Sequence, residues 1–221
     1  MQYLYHKESS TPTITLRGDE HRYIFKVRRH KEGETIALRN LKDSKIYYYK
    51  IASMDKKEAT LLLQYSKELT IKVKRELHIG WCIIEPKNIE KVLPTLNELG
   101  VASISFIYCK RSQKNFKLDF KRLEKILLNS SQQSGRSEIM RLELVDSLEK
   151  FLELYPNSVA LNFSDNILRP QDSIDSIVIG CEGGFTDSEI ELFGNRVVGL
   201  DTPMVLKSES ATCAVASLVL L

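Results

Sequence analysis

A chain of 221 residues, 43% hydrophobic and 28% charged, has the composition of a globular protein and can hold one large domain or a small one followed by a medium one. Its longest clean apolar run, Ala214 to Leu221 apart from Ser217, falls far short of the roughly 20 residues of a membrane span, and its start lacks the basic-then-apolar build of a signal peptide. A cytoplasmic protein is expected. The net charge of +3 hides a division: residues 1–141 carry 28 Lys and Arg against 16 Asp and Glu, and residues 142–221 carry 4 against 13. A front of +12 and a back of −9 suggest a polyanion-binding first part, and the run Lys26, Arg28, Arg29, His30 and Lys31 points to nucleic-acid phosphates.

Taken in chain order, residues 1–70 read as all-β. Short apolar segments recur at Tyr3–Tyr5, Thr13–Leu16, Thr35–Leu38, Ile46–Ile51 and Ala59–Leu63, between turns such as Arg17-Gly-Asp19 and Asp55-Lys-Lys57. Arg22–Arg29 reads as a helical turn within this small barrel. Polar Ser66–Lys74 reads as the junction to a second domain over 71–221. There, Leu77–Ile84 is a buried strand, Pro86 suits the first turn of a helix, and Ile89, Val92, Leu93, Leu96 and Leu99 follow helical spacing to a stop at Gly100. Pro94 lies inside that helix. Val101–Cys109 is the next strand, which makes a β-α-β unit and a parallel sheet. A helix through Leu118–Leu127 runs into residues 131–136. A helix near Ser147–Tyr155 and strands at Ser158–Phe163 and Ile174–Ile179 complete the pattern. Cys82, Cys109, Cys181 and Cys213 are scattered and read as buried free thiols. His6, His21, His30 and His78 show no ligand spacing, so no metal is implied.

Two loops carry chemistry. In the first, an apolar strand enters Gly180-Cys-Glu-Gly-Gly184, and Thr186-x-x-Glu189 then forms a capping box. Glycines let a ligand approach the backbone. Glu182, however, puts a negative charge where a polyphosphate would need amides alone, and neither G-x-G-x-x-G nor G-K-S/T is present. A positive centre joined to an adenine and a ribose suits this loop better. In the second, a strand ending at Val198 leads through Gly199–Lys207 to a final helix with Ser208 as cap. That helix is apolar on nearly every side as far as Leu221, so it needs cover on all faces, and a homodimer is expected.

Together these residues resemble the RsmE family, the 16S ribosomal-RNA uridine N3-methyltransferases of the SPOUT superfamily. That family shows I-G-P-E-G-G followed by F or L, and later L-G-x-R-I/V-L-R-x-E-T-A. Here stand Ile179-Gly-Cys-Glu-Gly-Gly-Phe185 and Thr202-Pro-Met-Val-Leu-Lys-Ser-Glu-Ser-Ala211. Glu98-Leu-Gly-Val101, Arg111-Ser112, Gln133-Ser-Gly-Arg136 and Val27-Arg-Arg29 with Gly33 match further family motifs in order, over nearly the whole chain.

The resemblance implies an α/β protein: an N-terminal PUA-like β-barrel, then an α/β SPOUT domain with a C-terminal trefoil knot, acting as a homodimer on ribosomal RNA of the small subunit. It implies S-adenosyl-L-methionine as cofactor, held by Leu161, Asn162, Ile179, Gly180, Glu182, Gly183, Gly184, Leu200, Thr202, Met204, Val205 and Leu206. Arg136 is placed to steady negative charge on the uracil, assisted by Lys207, with Glu209 as proton acceptor or loop anchor. Arg28, Arg29, Arg111 and Lys114 are assigned to RNA phosphates. The chain departs from the family pattern at Cys181 for proline, Thr202 for glycine, Met204 and Lys207 for arginines, and Thr95 for lysine. Lysine keeps the charge but not the planar fork of arginine. A related enzyme acting on another RNA such as transfer RNA, and a non-catalytic RNA-binding assembly factor, stay open at this point.

Overall fold

The computed structural model describes residues 2–73 and 75–221. The chain falls into two compact units. One takes the chain up to Lys72 together with Ser131–Glu138, and the other takes Val73–Ser130 and Ile139–Leu221.

The first unit is a five-stranded sheet in the order β1-β3-β4-β5-β2, from β1 (Leu4–Tyr5), β2 (Thr13–Arg17), β3 (Thr35–Arg39), β4 (Lys45–Met54) and β5 (Glu58–Glu68). All pairs are antiparallel except β1 with β3. No ladder joins β1 to β2 among the described residues. β5 extends through Ser66–Glu68, which the sequence assigns to the junction, because β4 offers it partners as far as the Lys45–Glu68 pair. Leu16, Leu38, Tyr49, Ile51 and Leu61 fill the core of this sheet. Between β2 and β3 lie α1 (Gly18–Arg22) and a π-helical turn, Tyr23–Val27. The distant Ser131–Glu138 segment completes the unit through hydrogen bonds: Tyr3 N–H donates to the Gln132 carbonyl (3.1 Å), Tyr5 N–H to Gln132 Oε1 (2.7 Å) and Ile71 N–H to Ser137 Oγ (2.7 Å).

The second unit is an all-parallel six-stranded sheet, ordered β11-β9-β10-β6-β7-β8. Its strands are β6 (His78–Cys82), β7 (Ser103–Ile107), β8 (Arg141–Val145), β9 (Val159–Leu161), β10 (Ser176–Ile179) and β11 (Val197–Val198). Central β6 is buried at every position, as a parallel strand covered on both faces must be. The helices are α2 (Pro86–Leu99), α3 (Phe120–Ser134, of which Ser131–Ser134 belongs to the first unit), α4 (Leu148–Leu154), α5 (Asp187–Glu191) and α6 (Ser208–Leu220). Pro86 opens α2, and Gly100 closes it in the left-handed conformation.

Three features depart from the sequence reading. β8 is absent from the sequence reading: Arg141-Leu-Glu-Leu144 alternates polar and apolar, but the run is only four residues long before Val145 breaks it, and at the sheet edge the strand is largely exposed. Ser208 does not cap α6; Lys207 is the cap residue and makes no side-chain capping bond. Cys82 and Cys109 are not free thiols but form a disulfide. Cys82 pairs with Ile107 across neighbouring parallel strands, so Cys109 follows two residues later and the two Cα atoms come to 5.6 Å, within disulfide reach. Cys181 and Cys213 are free.

Candidate functional site

The site grows from the ends of β10, β9 and β11. After Ile179 the chain turns at Gly180, where an added Cβ would lie 3.3 Å from the Gly184 backbone, so a side chain there would press the loop apart by a few tenths of an ångström. The Gly180 carbonyl accepts the Ser208 hydroxyl, which itself accepts the indole N–H of Trp81 at 2.9 Å. This is what Ser208 does in place of capping: it ties the second loop to the first. Beyond the turn, Thr186 and Glu189 form the complete capping box of α5. The Glu189 carboxylate is buried and accepts N–H groups from both Thr186 (2.8 Å) and Lys110 (2.8 Å). Arg111, next along, donates to the carbonyls of Gly183 (2.7 Å) and Phe185 (3.0 Å). The glycine loop is therefore held by the segment that starts at disulfide-bonded Cys109.

The opposite wall is residues 162–167 against 199–207. Gly199 donates to the Asn166 carbonyl (2.9 Å) and accepts from the Leu168 N–H (2.8 Å). A Cβ there would meet the Ser164 carbonyl oxygen at 2.3 Å. Only glycine lets these two stretches of backbone lie so close.

Between the walls is a cleft of about 660 Å³, in the range of small-molecule sites. Leu161, Asn162, Ile179, Gly180, Glu182, Gly183, Gly184, Leu200, Thr202, Met204, Val205 and Leu206 all line it, and so does Lys207. The sequence reading missed Phe163, Ser164, Asp165, Gly199 and Asp201, which also line it. The glycine after Val198 was the available signal on one side; Phe163–Asp165 carries none, because it is defined by what it faces. Phe163, Met204 and Val205 stand 80%, 68% and 78% exposed, an apolar surface suited to a flat ring. Glu182, Asp165 and Asp201 line the cleft together with one cation among the described residues, Lys207. Such a charge balance disfavours a polyphosphate and fits a ligand with hydroxyls and a positive centre. The donor set therefore fits an adenosyl sulfonium.

The remaining expected residues lie elsewhere. Arg136 belongs to the first unit, is 5% exposed, gives its carbonyl to Tyr3 Oη (2.8 Å) and sets its guanidinium 3.6 Å from Glu138. It does not line the cleft. Glu209, in the first turn of α6, has a buried Oε2 without a hydrogen-bond partner. Burial, then the Glu209 charge, pushes the Cys213 thiol up. Arg28 is half-buried, Arg29 and Lys114 are exposed, and Arg111 is committed to loop carbonyls.

Comparison with known proteins bears on the same regions. A family model described as an RNA methyltransferase domain matches residues 72–220, and one described as an RNA methyltransferase PUA domain matches 16–64. The chain is 38% identical over 223 residues to ribosomal RNA small subunit methyltransferase E of Helicobacter pylori strain 26695, covering 99% of both chains. It is 25% identical to the Aquifex aeolicus protein of that name, covering 100% of this chain and 99% of that one. In fold it is similar to ribosomal RNA small subunit methyltransferase E from Neisseria gonorrhoeae, solved bound to S-adenosyl methionine (TM-score 0.80, 19% identity, 98% of this chain and 95% of that one). It is equally similar to a Legionella pneumophila methyltransferase in complex with the same cofactor (TM-score 0.80, 23% identity, 98% and 94%). A PUA-like first unit and a parallel α/β second unit with a glycine-walled cleft thus agree with a match along the whole chain: this protein belongs to the ribosomal RNA small subunit methyltransferase E family, RsmE.

Proposed function

We propose that this chain transfers the methyl group of S-adenosylmethionine to N3 of a uridine in 16S ribosomal RNA, as a cytoplasmic homodimer. The observation that carries the reading is the cleft, where backbone and carboxylates outnumber cations and every cofactor-binding residue expected from the family motif stands together. When bound, the cofactor supplies an electrophilic methyl group on a sulfonium. The protein's task is then alignment more than acid–base power. Gly180–Gly184 and Leu200–Leu206 hold the ligand through their backbone, and exposed Met204 and Val205 flank its flat ring. Lys207 faces the uracil oxygens, where a cation steadies the charge that develops as N3 loses its proton. Arg136 holds no cleft position, so the proposal gives that role to Lys207. Glu209 holds no cleft position either and its Oε2 is buried, so the N3 proton passes to solvent water.

The quaternary part rests on α6. Ser208, Ala211, Thr212, Val215, Ala216 and Val219 form one buried stripe, while Cys213, Ala214, Leu218 and Leu220 stay half-exposed and Leu221 is 87% exposed. A second copy would cover that remaining apolar face. The knotted path is part of the proposal through the family resemblance, and the close approach of Gly199, just after β11, to Ser164, just after β9, is compatible with it. Nucleoside analysis of ribosomal RNA from a deletion strain tests the reaction: loss of N3-methyluridine, restored by the gene but not by a Gly180→Val copy, is the expected result. An unchanged nucleoside profile in ribosomal RNA would overturn the assignment.

A further inference from the structure

The first unit has a cavity of its own that methyl transfer does not use. It measures about 300 Å³, at the small end of ligand pockets. Ile24 and Ile36 give it an apolar floor, Tyr23 and Tyr48 contribute rings, and Arg28 stands among its lining residues.

Charge narrows the occupant. Among the described residues no carboxylate lines the cavity itself, although Glu34 is bonded to lining His30 at 2.7 Å. Arg28 donates to Tyr23 Oη from two nitrogens (3.0 and 2.8 Å) and to Gln2 Oε1 (2.6 Å), and its guanidinium carbon lies 5.3 Å from the Tyr23 ring centre. All of these partners are neutral, so the fork is oriented but its charge is not compensated. A second cation lies behind lining residue Tyr3: Arg39, 1% exposed, is 5.4 Å from that ring and donates to the carbonyls of Leu69 and Lys45. A purely apolar ligand would have no use for these cations, and an inorganic anion would have none for the rings.

The backbone points the same way. Tyr23–Val27, which supplies Tyr23 and Ile24, is a π-helical turn, a form concentrated at functional sites. Arg29, just after it, has φ of 59°, in the left-handed region that a side chain enters at a cost of about 1 kcal/mol or more.

We infer that this cavity holds one nucleotide of the RNA substrate, its base against the tyrosine rings and its phosphate on the Arg28 fork. The inference rests on the reading of RNA as substrate and adds a defined docking point to it. A base stacked on aromatic rings adds binding that is independent of charge, and so fixes the register of a strand that surface cations alone would leave free to slide.

The test uses the full chain and a fluorescein-labelled single-stranded oligoribonucleotide whose sequence surrounds the modified uridine. Arg28→Ala should weaken binding about tenfold and lower the salt slope by about one unit, since a phosphate contact is lost. Ala37→Leu fills the cavity and leaves every charge in place; it should weaken binding about fivefold to tenfold with an unchanged salt slope, as expected for lost stacking. Thr35→Phe, from an exposed lining position, repeats the filling should Ala37→Leu fail to fold. Lys57→Ala, on an exposed turn outside the cavity, is the control. S-adenosylmethionine affinity should not change in any of them. Wild-type binding by both filling variants would overturn the cavity, even with Arg28→Ala weakened, because Arg28 would then be a plain surface contact. If wild-type protein methylates ribosomal RNA and these variants are indifferent, the cavity proposal alone falls; if wild-type protein binds no RNA, the functional reading falls with it.

Discussion

Two cavities of this protein are built in opposite ways. The cleft of the second unit is walled by loops at the ends of parallel strands, where Gly199 permits a backbone contact that no side chain allows and Gly180 one that a side chain would strain. The cavity of the first unit is walled by side chains, tyrosines and an arginine carried on strands and a π-helical turn. A backbone site is sensitive to anything that shifts the chain and indifferent to most side-chain changes that spare the loops. A side-chain site responds to single truncations and tolerates more movement. Among the described residues the two also differ in lining charge, one with carboxylates and a single lysine and the other with arginine and no carboxylate, as suits a cationic cofactor on one side and a polyanion on the other.

The most severe way to break this contrast is to loosen the strand ends under the cleft. Cys82→Ser, or reduction by dithiothreitol, should lower stability by about 3–4 kcal/mol on the loop-entropy account for the sequence separation of 27. A thermal melt with and without reductant reads it. Cofactor affinity should fall as well, since Cys109 begins the segment that holds Gly183 and Glu189, while oligonucleotide binding should not. Cofactor affinity untouched by reduction would mean that the cleft keeps its shape without this support.

Gly180→Val comes next. It should cost about 100-fold in S-adenosylmethionine affinity, or about 2.7 kcal/mol, by calorimetric titration, with the first unit's RNA binding retained. A variant that binds cofactor normally would remove the backbone argument. Lys207→Met sharpens the contrast from the other side, because Lys207 is the one cation in a backbone site. Its proposed effect is on kcat, about tenfold to 100-fold at saturating RNA, with cofactor affinity preserved and partial rescue in Lys207→Arg. A change confined to KM would assign it to RNA capture instead.

The smallest effect is expected at Thr186→Ala, which opens the capping box of α5. The loss should be about 1 kcal/mol on denaturant unfolding, with a modest drop in cofactor affinity, because Glu189 keeps its bond from the Lys110 N–H. A loss several times larger would show that α5 organises the glycine loop rather than merely following it.

The features legible in the chain itself are those whose physics is local. Pro86 at the start of α2, left-handed Gly100 at its end and the Thr186–Glu189 box each involve residues a few positions apart. The glycine loops were readable for the same reason, and the residues named from the ordered family motifs line one cleft. The charge division likewise needed only counting.

What the tertiary structure decided are meetings between distant residues that leave no local trace. Cys82 and Cys109 pair because β6 and β7 lie side by side, although nothing near either residue marks a partner. Arg141–Leu144 alternates polar and apolar, but so short a run becomes a strand only because β7 offers it a free edge. Arg136 shares a motif with the chemistry, yet its segment packs into the first unit through Tyr3 and Tyr5. The aromatic cavity joins Gln2 and Tyr3 to residues as far along as Tyr48, and a site made of side chains from separate strands has no spacing to detect. Sequence determines the pieces through propensity and steric rules a few residues long; which pieces meet is settled by the burial of one shared core, a property of the whole chain.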